Sequence, residues 1–256
     1  MEARNAIIDI VTYEQAAEYI QRLVHNGLNE TFEHQIGGVL NGEKIKKWIY
    51  DDDFSGLMFW FGFKRGGGNK PELFVEKKRG DFIYNDINDI RILTPGGLFK
   101  FLLKAKDPIV KKFEKKSSKK EIESWIKSLK DTPQNGYGDV NALSARGRKD
   151  RFILHPKLEN HIKVGFTFFA LKEDNSSPKL LKQFFEQGEG VTHIRYFFGF
   201  DDSEKSGDHH IRLTLAPVKS DGTSFLKEDL KPEFKNLNGG EPLLLQTSWP
   251  PPPKQI

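Results

Sequence analysis

Two similar stretches, GLMFWFGF at residues 56–63 and HIRYFFGF at residues 193–200, constrain the fold of this chain more than any other feature. Each is a run of mostly large apolar residues that ends in Phe-Gly-Phe. A run of this kind is typical of a strand that is buried on both faces. The sequence therefore predicts two buried strands of one type, and we expect their aromatic residues to serve the structure rather than a ligand site.

The segments around the two strands follow one order: apolar run, helix, aromatic strand, loop, second strand and turn. In the first half, residues 36–40 are the apolar run and Asn41 is a predicted helix cap. In the second half, residues 164–171 are the apolar run, and Ser177-Pro178 is a predicted helix start. We interpret this order as an internal duplication. It predicts an α+β fold of two related helix–hairpin units, with mostly antiparallel sheet flanked by helices.

An earlier amphipathic helix is also predicted twice, because Thr12 with Gln15 and Ser118 with Glu121 each fit a capping box. These caps are 106 positions apart, whereas the two Phe-Gly-Phe triplets are 137 positions apart. The second unit should therefore contain 31 additional residues between helix and strand. We assign them to a long loop at residues 131–160.

The predicted boundary between the units follows from this assignment. The first unit is residues 1–106, and the second is residues 107–256 with the longer loop at 131–160. The second unit ends in the Pro-rich tail TSWPPPPKQI, whose prolines predict a polyproline II conformation. The tail either binds an aromatic groove of a partner or lies back on its own domain.

The stretches GGVLNGEKIKKWI…GLMFWFGF…PELFVEKK and ALKEDNSSPKLLKQFF…HIRYFFGF…HIRLTLAPV both resemble a loose group of uncharacterised bacterial proteins. Their pattern is a helix, a strand like G-I-R-x-Y-F-G, a loop, and a strand like L-x-L-V-x-V that ends at Asp-x-x-Gly. Residues 194–199 follow that strand closely, whereas Asp221 and Gly222 are adjacent and Leu57-Met58 replaces Ile-Arg in the first half. The resemblance implies a bacterial protein with this unit present twice. It implies no activity and transfers no catalytic residues.

The composition limits the class of protein. The chain has 256 residues, of which 37% are hydrophobic and 12% aromatic, and this predicts a folded protein with a sizeable core. The formal net charge of +4 is too small to predict nucleic-acid binding by itself. Without Cys there are no disulfides, thiolate zinc sites or Cys nucleophiles. We see no secretory signal and no apolar run of membrane-spanning length, so we expect a soluble cytoplasmic protein.

The two hairpin loops carry the candidate binding residues. The basic loop KRGGGNK either holds an anion with its glycine N–H groups or is a flexible hairpin tip. The mainly acidic loop DDSEKSGDHH offers carboxylate and imidazole ligands, but its spacing matches neither a calcium loop nor a zinc helix. The sequence therefore does not decide whether this loop binds a metal ion. The candidate binding residues are Lys64, Arg65, Lys70, Asp201, Asp202, Asp208, His209 and His210.

A third candidate is the basic segment Lys100–Lys130, within a stretch of eleven Lys and four acidic residues at 97–130. Apolar residues are interleaved with the lysines. The segment therefore either binds a nucleic acid or an anionic membrane surface, or packs its apolar face inside the protein. The cluster Arg146-Gly147-Arg148-Lys149, with Arg151 beyond it, lies in the predicted long loop. It either extends such a basic patch or is a solvated linker.

The sequence assembles no catalytic site. Its seven His are scattered, and we find no G-x-S-x-G motif and no recognisable pair of carboxylates. We therefore expect a non-enzymatic binding or assembly module of an intracellular bacterial system, which binds a protein partner or self-associates and uses no cofactor. The alternative is an enzyme or binder that acts on a phosphate-bearing or nucleic-acid ligand through the basic segment, His193, His209 and His210.

Overall fold

The computed structural model describes residues 8–33, 35–63, 66, 71–79, 92–94, 100–102, 118–130, 138–140, 142–158, 161, 166–169, 177–202 and 211–247. The helices in these ranges are α1 (Tyr13–His25), α2 (Leu28–Thr31), α3 (Gly42–Ile49), α4 (Lys119–Ser128), α5 (Ala142–Ile153) and α6 (Ser177–Glu186). The strands are β1 (Ile8–Val11), β2 (Gln35–Asn41), β3 (Phe54–Phe63), β4 (Pro71–Arg79), β5 (Ile92–Thr94), β6 (Lys100–Leu102), β7 (Gly138–Val140), β8 (Phe166–Phe169), β9 (Val191–Phe200), β10 (Ile211–Lys219) and β11 (Leu244–Thr247).

The fold is α+β, as the sequence predicts, and the strands form two antiparallel sheets. The first has the order β1-β11-β10-β9-β2-β6, and the second has the order β7-β5-β4-β3-β8. The two Phe-Gly-Phe stretches form β3 and β9, which are inner strands of the second and first sheets respectively. The side chains of residues 57–61 are almost fully buried, so the prediction of a strand buried on both faces is confirmed for β3.

Each sheet combines strands from both halves of the sequence. The apolar strand β2 of the first half pairs with β9, where Leu40 lies opposite Ile194. The apolar strand β8 of the second half pairs with β3, where Phe169 lies opposite Leu57. The two halves thus exchange corresponding strands in corresponding registers. The boundary near residue 106 stays a prediction.

The two hairpins contain the same irregularity. In β3–β4, Gly56 pairs with Lys78 and Phe54 pairs with Arg79, so one residue of β3 is skipped. In β9–β10, His193 pairs with Val218 and Val191 pairs with Lys219, so one residue of β9 is skipped at the corresponding position. A β-bulge re-aims the strand and increases its twist. Both hairpins therefore leave their helices with the same local geometry.

A helix crosses closely over the glycine of each Phe-Gly-Phe stretch. A Cβ added to Gly199 would lie 2.6 Å from the Cβ of Tyr19 on α1. A Cβ added to Gly62 would lie 2.9 Å from the Cβ of Arg148 on α5. Real side chains do not approach so closely, so glycine is needed where each helix meets its strand. The repeated Phe-Gly-Phe is thus explained by helix packing.

Helix α5 corrects the prediction of a long loop at residues 131–160. Ala142–Ile153 form a helix of 12 residues there. The sequence concealed it because Gly147 and four cations weaken both its helix propensity and its apolar periodicity. Tyr19 and Arg148 occupy corresponding positions over the two glycines, so α5 takes the place on β3 that α1 takes on β9.

Helix α4 does not occupy in the second half the position that α1 occupies in the first, as the duplicated capping box had suggested. Both capping boxes are present: the N–H of Thr12 donates to Gln15 Oε1 at 2.8 Å, and that of Ser118 donates to Glu121 Oε2 at 3.1 Å. However, α4 packs on α1 itself and does not cover the other hairpin. A capping box is a local signal, and it does not determine where a helix packs.

An aromatic cluster joins the two halves in the core. The ring of Phe32 lies 5.4 Å from that of Phe198 and 6.1 Å from that of Phe152, measured between ring centroids. Phe152 also lies 4.9 Å from Phe63 and 5.4 Å from Phe61. Contacts at these distances stabilise beyond the area they bury, by about 0.5–1.5 kcal/mol for each pair. The aromatic residues of both strands therefore serve the core.

A buried arginine ties β9 to α4. Arg195 is 0% exposed, and it donates to Ser224 Oγ at 2.5 Å and to the carbonyl oxygens of Leu129 and Gly222 at 3.2 Å. Gly222 lies in a left-handed turn with φ of +83°. The arginine of the Ile-Arg pattern therefore holds this turn and the end of α4.

Of the helices in the described ranges, none is long and apolar enough to span a lipid bilayer.

Candidate binding surface

Of the eight candidate binding residues, the structure describes Asp201 and Asp202. They follow the end of β9, and Arg22 of α1 lies beside both: its Nη1 is 2.9 Å from Asp202 Oδ1 and 3.7 Å from Asp201 Oδ1. The buried Arg212 adds a contact of 3.4 Å to Asp201 Oδ2. The other six, Lys64, Arg65, Lys70, Asp208, His209 and His210, lie outside the described residues.

The two aspartates fasten the base of the acidic loop to α1. Arginines offset their charge, so their carboxylates already have cationic partners. Burial lowers the pKa of Arg212, and the carboxylate of Asp201 opposes that shift. Within the described ranges, no group of three or more His, Asp or Glu side chains is placed to hold a metal ion.

His193 is buried at the point where β9 passes β2. Its Nδ1 lies 2.7 Å from Thr192 Oγ1, and its Nε2 has no hydrogen-bond partner among the described residues. A catalytic nucleophile–base pair consists of a hydroxyl beside an imidazole and of a third group that orients the imidazole. No carboxylate contacts Nε2 in the described part of the chain.

The buried imidazole makes stability depend on pH. Burial lowers the pKa of His193 below its ordinary value, and Glu43 opposes this only in part. The unfolded chain therefore takes up a proton first as the pH falls below about 6.5. We expect the free energy of unfolding to decrease between pH 7.5 and pH 5.5, and to decrease less in His193→Gln. Urea unfolding at both pH values measures this, and an equal decrease in both proteins would contradict it.

Helix α5 is fastened to the end of the β3–β4 hairpin by its arginines. Arg148 Nη1 donates to Glu72 Oε2 at 2.8 Å, and Arg151 Nε donates to the carbonyl oxygen of Phe63 at 2.9 Å. The guanidinium of Arg148 also lies 5.7 Å from the centre of the Phe74 ring. Phe63 immediately precedes the basic loop 64–70, so the helix and the loop base share one surface.

A buried ion pair on the hairpin supports this helix. Glu76 and Lys78 are 1% and 2% exposed, and Lys78 Nζ lies 2.8 Å from Glu76 Oε1. Trp60 Nε1 donates to Glu76 Oε2 at 2.7 Å. The ammonium groups of Lys78 and Lys149 lie 5.6 and 5.5 Å from the centre of the Trp60 ring. Lys149 belongs to α5, so the helix contacts this cluster directly.

These contacts define a basic surface, which consists of α5 and the ends of β3 and β4 that carry the loop 64–70. Helix α5 has four cations and one acidic residue, and the loop has three cations and no acidic residue. His155, just beyond α5, lies 5.5 Å from the Phe63 ring, and burial lowers its pKa, with Lys157 acting in the same direction. Arg148 and Arg151 of α5 therefore contact the strand ends between which the basic loop 64–70 lies in the sequence.

The described parts of the basic segment Lys100–Lys130 are engaged within the protein. Lys119 of α4 lies 2.9 Å from Glu14 of α1, and Lys127 lies 2.8 Å from Glu123. Ile122 and Ile126 are fully buried. Helix α4 thus packs its apolar face inward, as one of the two interpretations predicts. Binding of nucleic acid by this segment stays a prediction.

An open depression of about 670 Å³ lies beside α3. Its lining has charges of both signs. Tyr50 donates its hydroxyl to Glu186, and partial desolvation together with that carboxylate raises the pKa of Tyr50 to about 12. Asp51 on its rim accepts from the buried Lys77 at 2.8 Å. Tyr50 and Asp51 thus each have a partner outside the lining, and we assign no chemistry to the depression. Its lining residues are Glu43, Lys46, Lys47, Tyr50 and Asp51.

Sequence reasoning left open whether Arg148 and Arg151 extend a basic patch, and it did not place them against the β3–β4 hairpin because it assigned them to a loop. The available signal was the spacing of 129 positions between Tyr19 and Arg148, which also separates Leu40 from Phe169. Comparisons with protein-family models, curated proteins and solved structures find no match. The structure defines a two-sheet α+β protein with a basic surface, and its function is inferred from that surface.

Proposed function

We propose that this chain is a non-enzymatic binding module and that its basic surface holds an anionic partner. The observation that carries the proposal is the fastening of α5 to the hairpin end by Arg148 and Arg151. This arrangement holds the helix cations and the base of a basic glycine loop on one rigid support. Loops on a rigid scaffold are frequent binding elements, and clustered cations attract and orient anionic partners.

A protein partner is favoured over a nucleic acid by the exposed side chains of α5. Leu143 is 79% exposed, and Asp150 is exposed on the same helix. A phosphate backbone offers nothing apolar to Leu143, whereas an acidic protein surface does, and Asp150 opposes both kinds of anion alike.

Charge reversal on α5 and in the turn that follows it tests the proposal. We expect Arg146→Glu with Lys157→Glu to weaken binding of poly-L-glutamate about ten-fold at low salt, because both residues are exposed. Fluorescence anisotropy measures this with labelled poly-L-glutamate and, in parallel, with labelled oligo-dT of 20 nucleotides. The control is Lys46→Glu on α3, which is also exposed and lies on another helix.

The outcomes separate the two ligand classes. The proposal is supported if poly-L-glutamate binds more weakly to Arg146→Glu with Lys157→Glu and its binding to Lys46→Glu is unchanged. Tight binding of oligo-dT without binding of poly-L-glutamate would replace it with the phosphate-bearing alternative. If neither probe binds at low salt, or if Lys46→Glu weakens binding equally, the proposed surface is wrong.

We also propose that the two halves are copies of one unit and that the protein acts in the bacterial cytoplasm. The matching registers of β2 with β9 and β8 with β3 support the duplication, as do the matching bulges and helix–glycine contacts. Bacterial cytoplasm is an expectation from sequence, and cell fractionation would test it. Self-association is a second form of the protein-binding proposal, and sedimentation equilibrium would detect it.

A further inference from the structure

The free ends of the two hairpins have the same arrangement of helix and strand. Helix α1 crosses β9 and helix α5 crosses β3 at corresponding glycines. Arg22 of α1 and Arg151 of α5 are 129 positions apart, and each reaches the end of the strand beneath it. Arg22 Nη1 lies 2.9 Å from Asp202 Oδ1, and Arg151 Nε donates to the carbonyl oxygen of Phe63 at 2.9 Å. The support for the two loops is therefore the same.

The residues that follow the two strands have opposite charges. Asp201 and Asp202 follow β9, whereas Lys64 and Arg65 follow β3, and the two pairs are 137 positions apart. The acidic loop has four acidic residues and one Lys, which gives −3 with neutral His, and the basic loop has three cations, which gives +3. Contact between two like ends is therefore repulsive, and contact between unlike ends is attractive.

The arginines at the end of β9 leave negative charge in excess there. Arg212, which lies 3.4 Å from Asp201 Oδ2, is itself buried. Arg22 is shared, because its Nη2 lies 2.5 Å from Glu18 Oε1 while its Nη1 contacts Asp202. The side chain of Asp202 is 61% exposed despite this contact. We define the acidic end as Asp201, Asp202 and the loop residues that follow them in the sequence.

We infer that the acidic end of one copy of this chain binds the basic surface of a second copy, which names the partner of the proposed function and rests on it. The occupant is a second copy because the chain itself carries the complementary charge, at the corresponding place and on the same helix–hairpin support. The basic surface has the larger charge, since α5 adds four cations and one acidic residue to the basic loop. Opposite potentials of this kind orient two surfaces as they meet.

Two variants with complementary changes test the inference in the full-length protein. Asp202→Lys alters the acidic end, and Arg146→Glu with Lys157→Glu alters the basic surface, all at exposed side chains. We expect each variant alone to self-associate about ten-fold more weakly than the original protein in sedimentation velocity at low salt. An equimolar mixture of the two should regain association as a dimer, because it contains one intact acidic end and one intact basic surface. The control is Asp52→Lys, an exposed aspartate in the turn before β3.

The outcomes separate this inference from the proposed function. Weaker association in both variants, recovery in the mixture and no change in Asp52→Lys support the inference. If the original protein is a monomer at low salt and high concentration, the inference is overturned, while binding of poly-L-glutamate keeps the proposed function. Association that neither variant weakens, or that the mixture does not restore, places the interface elsewhere and also overturns it. If poly-L-glutamate does not bind either, both proposals are wrong.

Discussion

Glu76→Ala is expected to lower the free energy of unfolding by about 3–5 kcal/mol. The carboxylate is 1% exposed and accepts from Lys78 Nζ at 2.8 Å and from Trp60 Nε1 at 2.7 Å. Without this carboxylate, the ammonium group of Lys78 and the indole N–H of Trp60 stay buried but lose their acceptor. Burying either group without an acceptor is costly. Equilibrium urea unfolding followed by far-UV circular dichroism measures the change.

The matched control for this prediction removes both charges. In Glu76→Gln with Lys78→Met, both charges are removed while the amide oxygen of Gln can still accept from Trp60 Nε1, and we expect stability to return to within about 1.5 kcal/mol of the original protein. A loss of less than about 1 kcal/mol in Glu76→Ala would contradict the assignment of this pair as a buried, coupled one. Because Lys149 of α5 lies over the same Trp60 ring, Glu76→Ala should also weaken poly-L-glutamate binding.

Gly37→Ala is expected to lower the free energy of unfolding by about 3 kcal/mol. A Cβ added to Gly37 would overlap the carbonyl oxygen of Tyr196 and lie 3.3 Å from the Cα of Phe197, and both atoms belong to the backbone of β9. Backbone atoms within a sheet cannot move aside as a flexible side chain can. The strands β2 and β9 must therefore separate locally, and the exchange of strands between the two halves is weakened.

Amide hydrogen exchange locates the effect of Gly37→Ala. We expect faster exchange in β2 and β9 than in β3 and β4, in addition to the lower midpoint of urea unfolding. The control is Gly147→Ala in α5, where the nearest atom to the added Cβ is 3.6 Å away. There Ala should stabilise the helix by about 0.5–1 kcal/mol. Equal stability of the original protein and Gly37→Ala would show that the β2–β9 pairing differs from the one described.

The local elements were predictable because their causes are local. The cap at Asn41 is confirmed, since its Oδ1 accepts from the N–H of Glu43 at 2.9 Å. The left-handed turn at Gly222 and the two hairpins also follow from residues close in sequence. Helix α5 escaped prediction because its stability comes from packing on Gly62, and this contact is invisible in a sequence window.

The candidate site was predictable only in its parts. Sequence identified the basic loop 64–70 and the cluster around Arg148 as separate cationic segments. The structure places Arg148 beside Glu72 and Arg151 beside the Phe63 carbonyl, at the strand ends that flank the loop in the sequence. The sequence named Asp201 as a candidate binding residue without a partner. The structure shows its carboxylate beside Arg22 and Arg212.

The sequence by itself determined the α+β class, the two buried aromatic strands and the helices next to them. These features depend on apolar periodicity, caps and turn residues, which act over a few positions. Only the tertiary structure decided that β2 joins β9, that β8 joins β3, and that α5 crosses Gly62. Any of several apolar strands has the hydrogen-bonding groups to pair with β3. The choice among them depends on which side chains fill the shared core, and that is a property of the whole chain.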